Sequence, residues 1–376
     1  MRLDEDALID EARQATGLDD FGSPDFHDGL RALIGIVDHN PFTDQGRRQH
    51  RDRLVQLLST RLRVQEAFRR HPEIRDRPIT APMIMTGLPR SGTSALFNLL
   101  AADPAARPLL MWEGVSPDPD WDRKPGDIDP RHQALKDWAA SERELNPEFS
   151  RIHFVDADTP EECVLLQAIS FDGGQLGYEL LLEPYRSWFT DHDLTPTYAY
   201  YADLLRLLDW QRPGERWLLK SPAHLWALGA LIEVFPDCSI VWNHRDPAVC
   251  MASMSSMIAT LSQDLVDLPS TELGPLVLDH YATSMDRALA DRVGSDERRF
   301  VDIDYADLIV DNLAAARTVY DRFNLDPGPA LPLMEAHIAT HPKDAHGSHH
   351  YDLATYGLTA EQVRDRFAAY RRRFGV

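Results

Sequence analysis

The sequence is short of cysteine, short of lysine and free of long apolar runs. Three of its 376 residues are cysteines, Cys163, Cys238 and Cys250, far apart and each set among apolar neighbours. That excludes a disulfide framework or a cysteine-based zinc site and suits reduced thiols in a core. No stretch approaches the roughly 20 apolar residues of a membrane-spanning helix. The opening MRLDEDALIDEARQ is acidic and has no apolar signal core, so the expected location is cytoplasmic. Positive charge is scarce too: the net charge is −21, which repels phosphate backbones and anionic membranes and excludes nucleic acid as a partner. Any anion site must be a local basic pocket. Lysine stands only at Lys124, Lys136, Lys220 and Lys343, the other basic residues being arginine. What remains is ordinary for a globular protein, 43% hydrophobic and 26% charged, and long enough to bury a substantial core.

The stretch that organises the chain is Pro82 to Leu100, PMIMTGLPRSGTSALFNLL. Met83, Ile84 and Met85 form a short apolar run suited to a buried parallel strand. Gly87 to Gly92 follow as a tight loop, and Leu96, Leu99 and Leu100 lay an apolar stripe down a helix. The first N–H groups of such a helix lack internal partners, and its dipole favours negative charge there. With Arg90 beside Ser91, Gly92, Thr93 and Ser94, the loop reads as a phosphate or sulfate nest. Gly87 and Gly92 have the spacing of a Walker A loop, but Thr93 stands where that motif needs Lys.

A second informative block runs from Arg216 to Met257. Trp217 to Leu219 reads as a strand delivering Lys220 at its end, with Ser221-Pro222 opening a helix. Ser239 to Trp242 reads as the next strand, delivering Asn243, His244, Arg245 and Asp246 ahead of a helix that carries Ser253. Leu109 to Trp112 reads as another short strand, which would place Glu113 on the ligand-binding side of the sheet. In DTPEECVLLQAI, Thr159 and Glu162 have capping-box spacing. Strands alternating with helices predict a doubly wound parallel α/β sheet. Residues 1–80 read as helices packed on that sheet and residues 115–210 as a mostly helical insertion. Trp188, Tyr198, Tyr200, Tyr201 and Trp210 suit either a core or an apolar acceptor pocket.

GLPRSGTS resembles the 5′-phosphosulfate loop of sulfotransferases that use 3′-phosphoadenosine-5′-phosphosulfate, in which a basic residue precedes Ser-Gly-Thr. Arg245, with Ser253 eight residues later, strengthens the resemblance, which covers residues 80–376. The resemblance implies a P-loop-like α/β fold, a sulfotransferase domain over 81–376, and sulfuryl transfer to a hydroxyl without a metal, while the aromatic content between residues 185 and 210 points to a small, hydrophobic alcohol or phenol as the acceptor. It further implies that Arg90, Ser91, Gly92, Thr93 and Ser94 hold the 5′-phosphosulfate. Arg245 and Ser253 would hold the 3′-phosphate, and Lys220 would meet the transferring group. Tyr305 matches a position beside the adenine, and Lys343, His346 and Gly347 match a loop that closes over the donor. For the base that deprotonates the acceptor, Glu113 is favoured over His224, with burial expected to raise its pKa. His224 stands four residues after Lys220, whereas aryl sulfotransferases place a His two residues on. The rival readings are a small-molecule kinase, opposed by the missing Walker lysine, and a non-catalytic nucleotide-binding protein.

Overall fold

The computed structural model describes residues 3–124, 126–145, 156–173, 177–340 and 352–376. Helices α1 (Glu5–Thr16), α2 (Phe26–His39) and α3 (Asp44–Arg70) precede the first strand, β1 (Met83–Gly87), which runs into α4 (Thr93–Leu100). Then come β2 (Ala106–Pro108) and α5 (Met111–Val115), followed by α6 (Pro130–Leu145), α7 (Val164–Gln167), α8 (Tyr185–Asp191) and α9 (Thr195–Gln211). β3 (Arg216–Lys220), α10 (Leu228–Val234) and β4 (Ser239–His244) form one crossover unit. α11 (Pro247–Ser262) and α12 (Ser270–Val293) lead to β5 (Phe300–Asp304). The chain continues through α13 (Tyr305–Val310), α14 (Asn312–Phe323), α15 (Leu331–Thr340), α16 (Ala360–Arg366) and α17 (Ala368–Phe374).

Among the described residues the strands form one parallel sheet in the order β2-β3-β1-β4-β5. Alternation along each strand divides the core in two, as a period of two requires. Ile84, Leu219, Ile240 and Trp242 face one way and share a continuous apolar cluster with Leu8, Leu33, Leu58 and Phe68 of the N-terminal helices. Met83, Met85, Leu218, Val241 and Val301 face the other way, against Leu96 and Phe97 of α4 and Val319 of α14. Each buried Leu or Phe in these layers contributes about 1.5–3 kcal/mol.

The strand order decides what meets at the site. β1 lies between β3 and β4, with Met85 level with Lys220 and Gly87 level with Asn243. The loop after β1 is therefore flanked by the ends of both neighbouring strands, the crevice where α/β sheets bind ligands.

Two local expectations fail. Leu109 to Trp112 is not a strand: pairing with β3 stops at Pro108, which lacks an N–H for the ladder, and Met111 already opens α5. Nor do Thr159 and Glu162 form a capping box, because the helix begins only at Val164 and the Glu162 carboxylate is bonded elsewhere.

Candidate active site

The loop from Gly87 to Gly92 carries three unusual backbone conformations. Gly87 has φ 146°, Arg90 φ 68° and Gly92 φ 90°. A Cβ on Gly87 would come within 2.5 Å of the Asn243 carbonyl oxygen, and one on Gly92 within 2.8 Å of the Tyr305 ring. Both positions thus need glycine for conformation and for space. Among the described residues no side chain caps α4, and while the Ala95 N–H donates to the Gly92 carbonyl at 3.1 Å, the N–H groups of Thr93 and Ser94 face an external anion. Among the described residues Ser91 Oγ is buried without a partner, as are the amide atoms of Asn243. An uncapped helix end beside an orphaned hydroxyl fits a ligand with anionic oxygens.

The second basic patch meets this loop directly. Arg90 Nε donates to Ser253 Oγ at 3.1 Å, and Arg245 Nη1 donates to the Arg90 carbonyl at 2.7 Å. The Arg245 guanidinium lies 3.8 Å from the centroid of the Tyr305 ring, and that ring also lines Gly92. One wall of the site is therefore Arg90, Arg245, Ser253 and Tyr305, drawn from four elements. Arginine on an aromatic face keeps its fork oriented and leaves N–H groups for phosphate oxygens.

The opposite wall is Lys220, which is buried; its Nζ donates to Ser94 Oγ at 3.1 Å and to Glu162 Oε1 at 2.8 Å. Phe97 lies beneath, its ring centroid 5.5 Å from Nζ. Sequence reasoning missed Glu162, assigning it to a helix cap. The signal that could have found it is the pairing rule for a buried lysine, which demands a carboxylate nearby. A quarter of the Glu162 side chain remains exposed, so the residue borders solvent as well as Lys220.

Glu113 sits differently from its expected place. It lies within α5, is 1% exposed, and both carboxylate oxygens are taken by Arg107 and Arg212 at 2.8 Å. Burial pushes its pKa up, but hydrogen bonds from Arg212 and the charge and hydrogen bonds of Arg107 outweigh it and hold the carboxyl below its ordinary value. The expected upward shift is therefore reversed. His224 is fully buried, its Nδ1 2.8 Å from the Tyr198 hydroxyl and its Nε2 without a partner among the described residues. Burial pushes its pKa down to about 3, so the imidazole is neutral.

Of the aromatics between Tyr185 and Trp210, Tyr185, Tyr198 and Tyr201 are core residues, while Trp188, Tyr200 and Trp210 pack partly buried against that core. A cavity of about 460 Å³ lies beside the N-terminal helices, lined among others by Arg61, Gln65, Asp172 and Tyr200, and takes no residue from the anion loop. Lys343, His346 and Gly347 lie outside the described residues.

A family model described as "Sulfotransferase family" matches residues 82–328, and the chain belongs to that family. The structure is similar to sulfotransferase STF1 from Mycobacterium tuberculosis H37Rv, 33% identical over 98% of this chain and 99% of that one, with a TM-score of 0.87. It is also similar to sulfotransferase STF9 from Mycobacterium avium, 31% identical over 99% of this chain and 97% of the other, with a TM-score of 0.89. Over 152 residues, 39% of this chain, the sequence is 29% identical to omega-hydroxy-beta-dihydromenaquinone-9 sulfotransferase Stf3 of Mycobacterium bovis and Mycobacterium tuberculosis. That match spans 36% of those relatives' length.

Proposed function

We propose that the protein transfers a sulfuryl group from 3′-phosphoadenosine-5′-phosphosulfate to the hydroxyl of a hydrophobic acceptor. The observation that carries this reading is the meeting of Arg90, Lys220, Arg245 and Ser253 around one uncapped loop, through contacts of 2.7–3.1 Å. When bound, the donor supplies an activated sulfuryl group; the protein supplies positioning and charge. Arg90, Ser91, Gly92, Thr93 and Ser94 hold the 5′ end, Arg245 and Ser253 hold the 3′-phosphate, and Tyr305 flanks the adenosine. Lys220 neutralises charge on the departing oxygen.

The acceptor proton is assigned to Glu162. Its carboxylate is 2.8 Å from Lys220, on a side chain a quarter of which is exposed, so it can serve both the transfer point and an entering hydroxyl. Glu113 suits this task less, because it is 1% exposed and two arginines occupy both its oxygens, whereas Glu162 meets a single lysine from a partly exposed position. His224 suits it less because it is fully buried. The acceptor class is drawn from the relatives that act on a hydroxylated menaquinone.

Incubation with sulfur-labelled donor and a panel of hydrophobic alcohols and phenols, in EDTA, tests the proposal. Labelled product should form without added metal. Product formed only from ATP and Mg²⁺ would instead identify a kinase. Glu162→Gln should lower turnover by about 100-fold or more, the range of a lost general base, with nucleotide affinity kept.

A further inference from the structure

We propose that Tyr370 of α17 is a positioning residue for Arg245, fixing from behind the strand end that presents this guanidinium to the donor; the inference rests on the reading of the site as one for a 3′-phosphorylated adenosine. Arg245 follows the last residue of β4, so its backbone N–H lies beyond the ladder that β4 shares with β1 and β5. A backbone donor shielded from water needs another partner. Tyr370 provides it from 125 positions away in the chain: the Arg245 N–H donates to the Tyr370 hydroxyl at 3.2 Å. The ring is buried at 1% exposure, and the hydroxyl proton has two acceptors within reach, His244 Nδ1 at 3.3 Å and the carbonyl oxygen of Arg245 itself at 3.5 Å.

That arrangement fixes the rest of the chain of bonds. The Asp302 carboxylate can only accept, so the proton of the neutral His244 ring sits on Nε2, donated to Asp302 at 2.8 Å, and leaves Nδ1 to accept. Asp302 is in turn held by two hydrogen bonds from Arg292, at 2.7 and 2.8 Å. Phe374, one turn beyond Tyr370, stacks on the His244 ring with centroids 3.8 Å apart. From α16, Arg364 ties the next residue of the loop through Asp246 at 2.7 Å. The two C-terminal helices thus grip residues 244–246 on the backbone side, while the Arg90 carbonyl and the Tyr305 ring hold the guanidinium side. Tyr370 acts through Arg245 and has no part in the chemistry.

Tyr370→Phe removes the hydroxyl and keeps the ring. Calorimetric titration with 3′-phosphoadenosine-5′-phosphate and with adenosine 5′-phosphate separates positioning of Arg245 from general damage. Affinity for the first should fall about 5- to 10-fold, the range of one buried hydrogen bond, and for the second should change less than about 2-fold. The donor KM should rise by more than kcat falls. Arg364→Ala, a surface change, should give a smaller loss with the same preference and decides the matter should Tyr370→Phe fail to fold. Equal losses for both nucleotides, or no loss for either, would overturn the positioning role. Wild-type protein that binds neither nucleotide would overturn the donor reading itself, and the positioning role with it.

Discussion

At the scale of single residues, Glu113 and Glu162 differ in burial and in partners, the first enclosed between two arginines and the second a quarter exposed beside Lys220. Glu113 compensates two arginines in a buried cluster, so Glu113→Gln leaves guanidinium charge without a counter-ion and should cost about 3–5 kcal/mol of stability. Denaturant titration of that variant should show a lowered midpoint at unchanged slope. Glu162→Gln takes the carboxylate from buried Lys220 as well, but its amide oxygen and Ser94 Oγ can still accept from Nζ. One buried cation is affected rather than two partners of one buried carboxylate, so the variant should cost less stability than Glu113→Gln and lower turnover far more. The division was hidden in the sequence for a plain reason. Lys220 and Glu162 are 58 positions apart, and Arg212 and Glu113 are 99 apart. Only the folded chain says which base meets which acid.

At the scale of elements, the strand, loop and helix from Met83 to Leu100 were legible because every determinant is local. The apolar run, the two glycines and the three-and-four spacing of leucines sit within one continuous stretch. Lys220 and Arg245 were legible for a related reason: each stands at or just past the end of a buried strand, and parallel strands deliver such residues to one edge. β2 was misplaced by several residues, since a three-residue edge strand ending in Pro leaves almost no pattern to read. The glycines carry the sharpest element-level expectation. Gly92→Ala places a Cβ 2.8 Å from Tyr305 at a φ of 90°, so the loop must open. Strain of this kind costs about 1–3 kcal/mol. The variant should lose nucleotide binding by more than about 10-fold while its circular dichroism stays native; unimpaired binding would show that the loop does not cradle the ligand.

At the scale of the whole molecule, buried histidines set the acid limit. Burial pushes His224 and His280 down to about 3 in the folded chain, against about 6.5 when unfolded. Between those values the unfolded chain takes up protons that the folded chain refuses, so stability falls as the pH drops below about 6.5. Two such groups remove roughly 3 kcal/mol per pH unit between pH 6 and 4. Glu113, whose folded pKa is lowered, adds its own loss only as the pH falls through the carboxylate range. Chemical denaturation at pH 7, 6 and 5 should show this decline, and His280→Asn should make it shallower. A midpoint that holds steady across this range would mean that the imidazoles are protonated in the fold.

The shared core that joins the N-terminal helices to one face of the sheet makes the molecule a stable frame for a small loop, and the claim at its centre is that this loop and Arg245 hold opposite ends of one nucleotide. Calorimetric titration of the wild-type protein in EDTA, with 3′-phosphoadenosine-5′-phosphate and then with adenosine 5′-phosphate, tests that claim directly. The account predicts one site per chain and an affinity about 100-fold or more weaker once the 3′-phosphate is missing, the worth of one or two charge-assisted hydrogen bonds. Equal binding of the two nucleotides, or no heat with either, would contradict it.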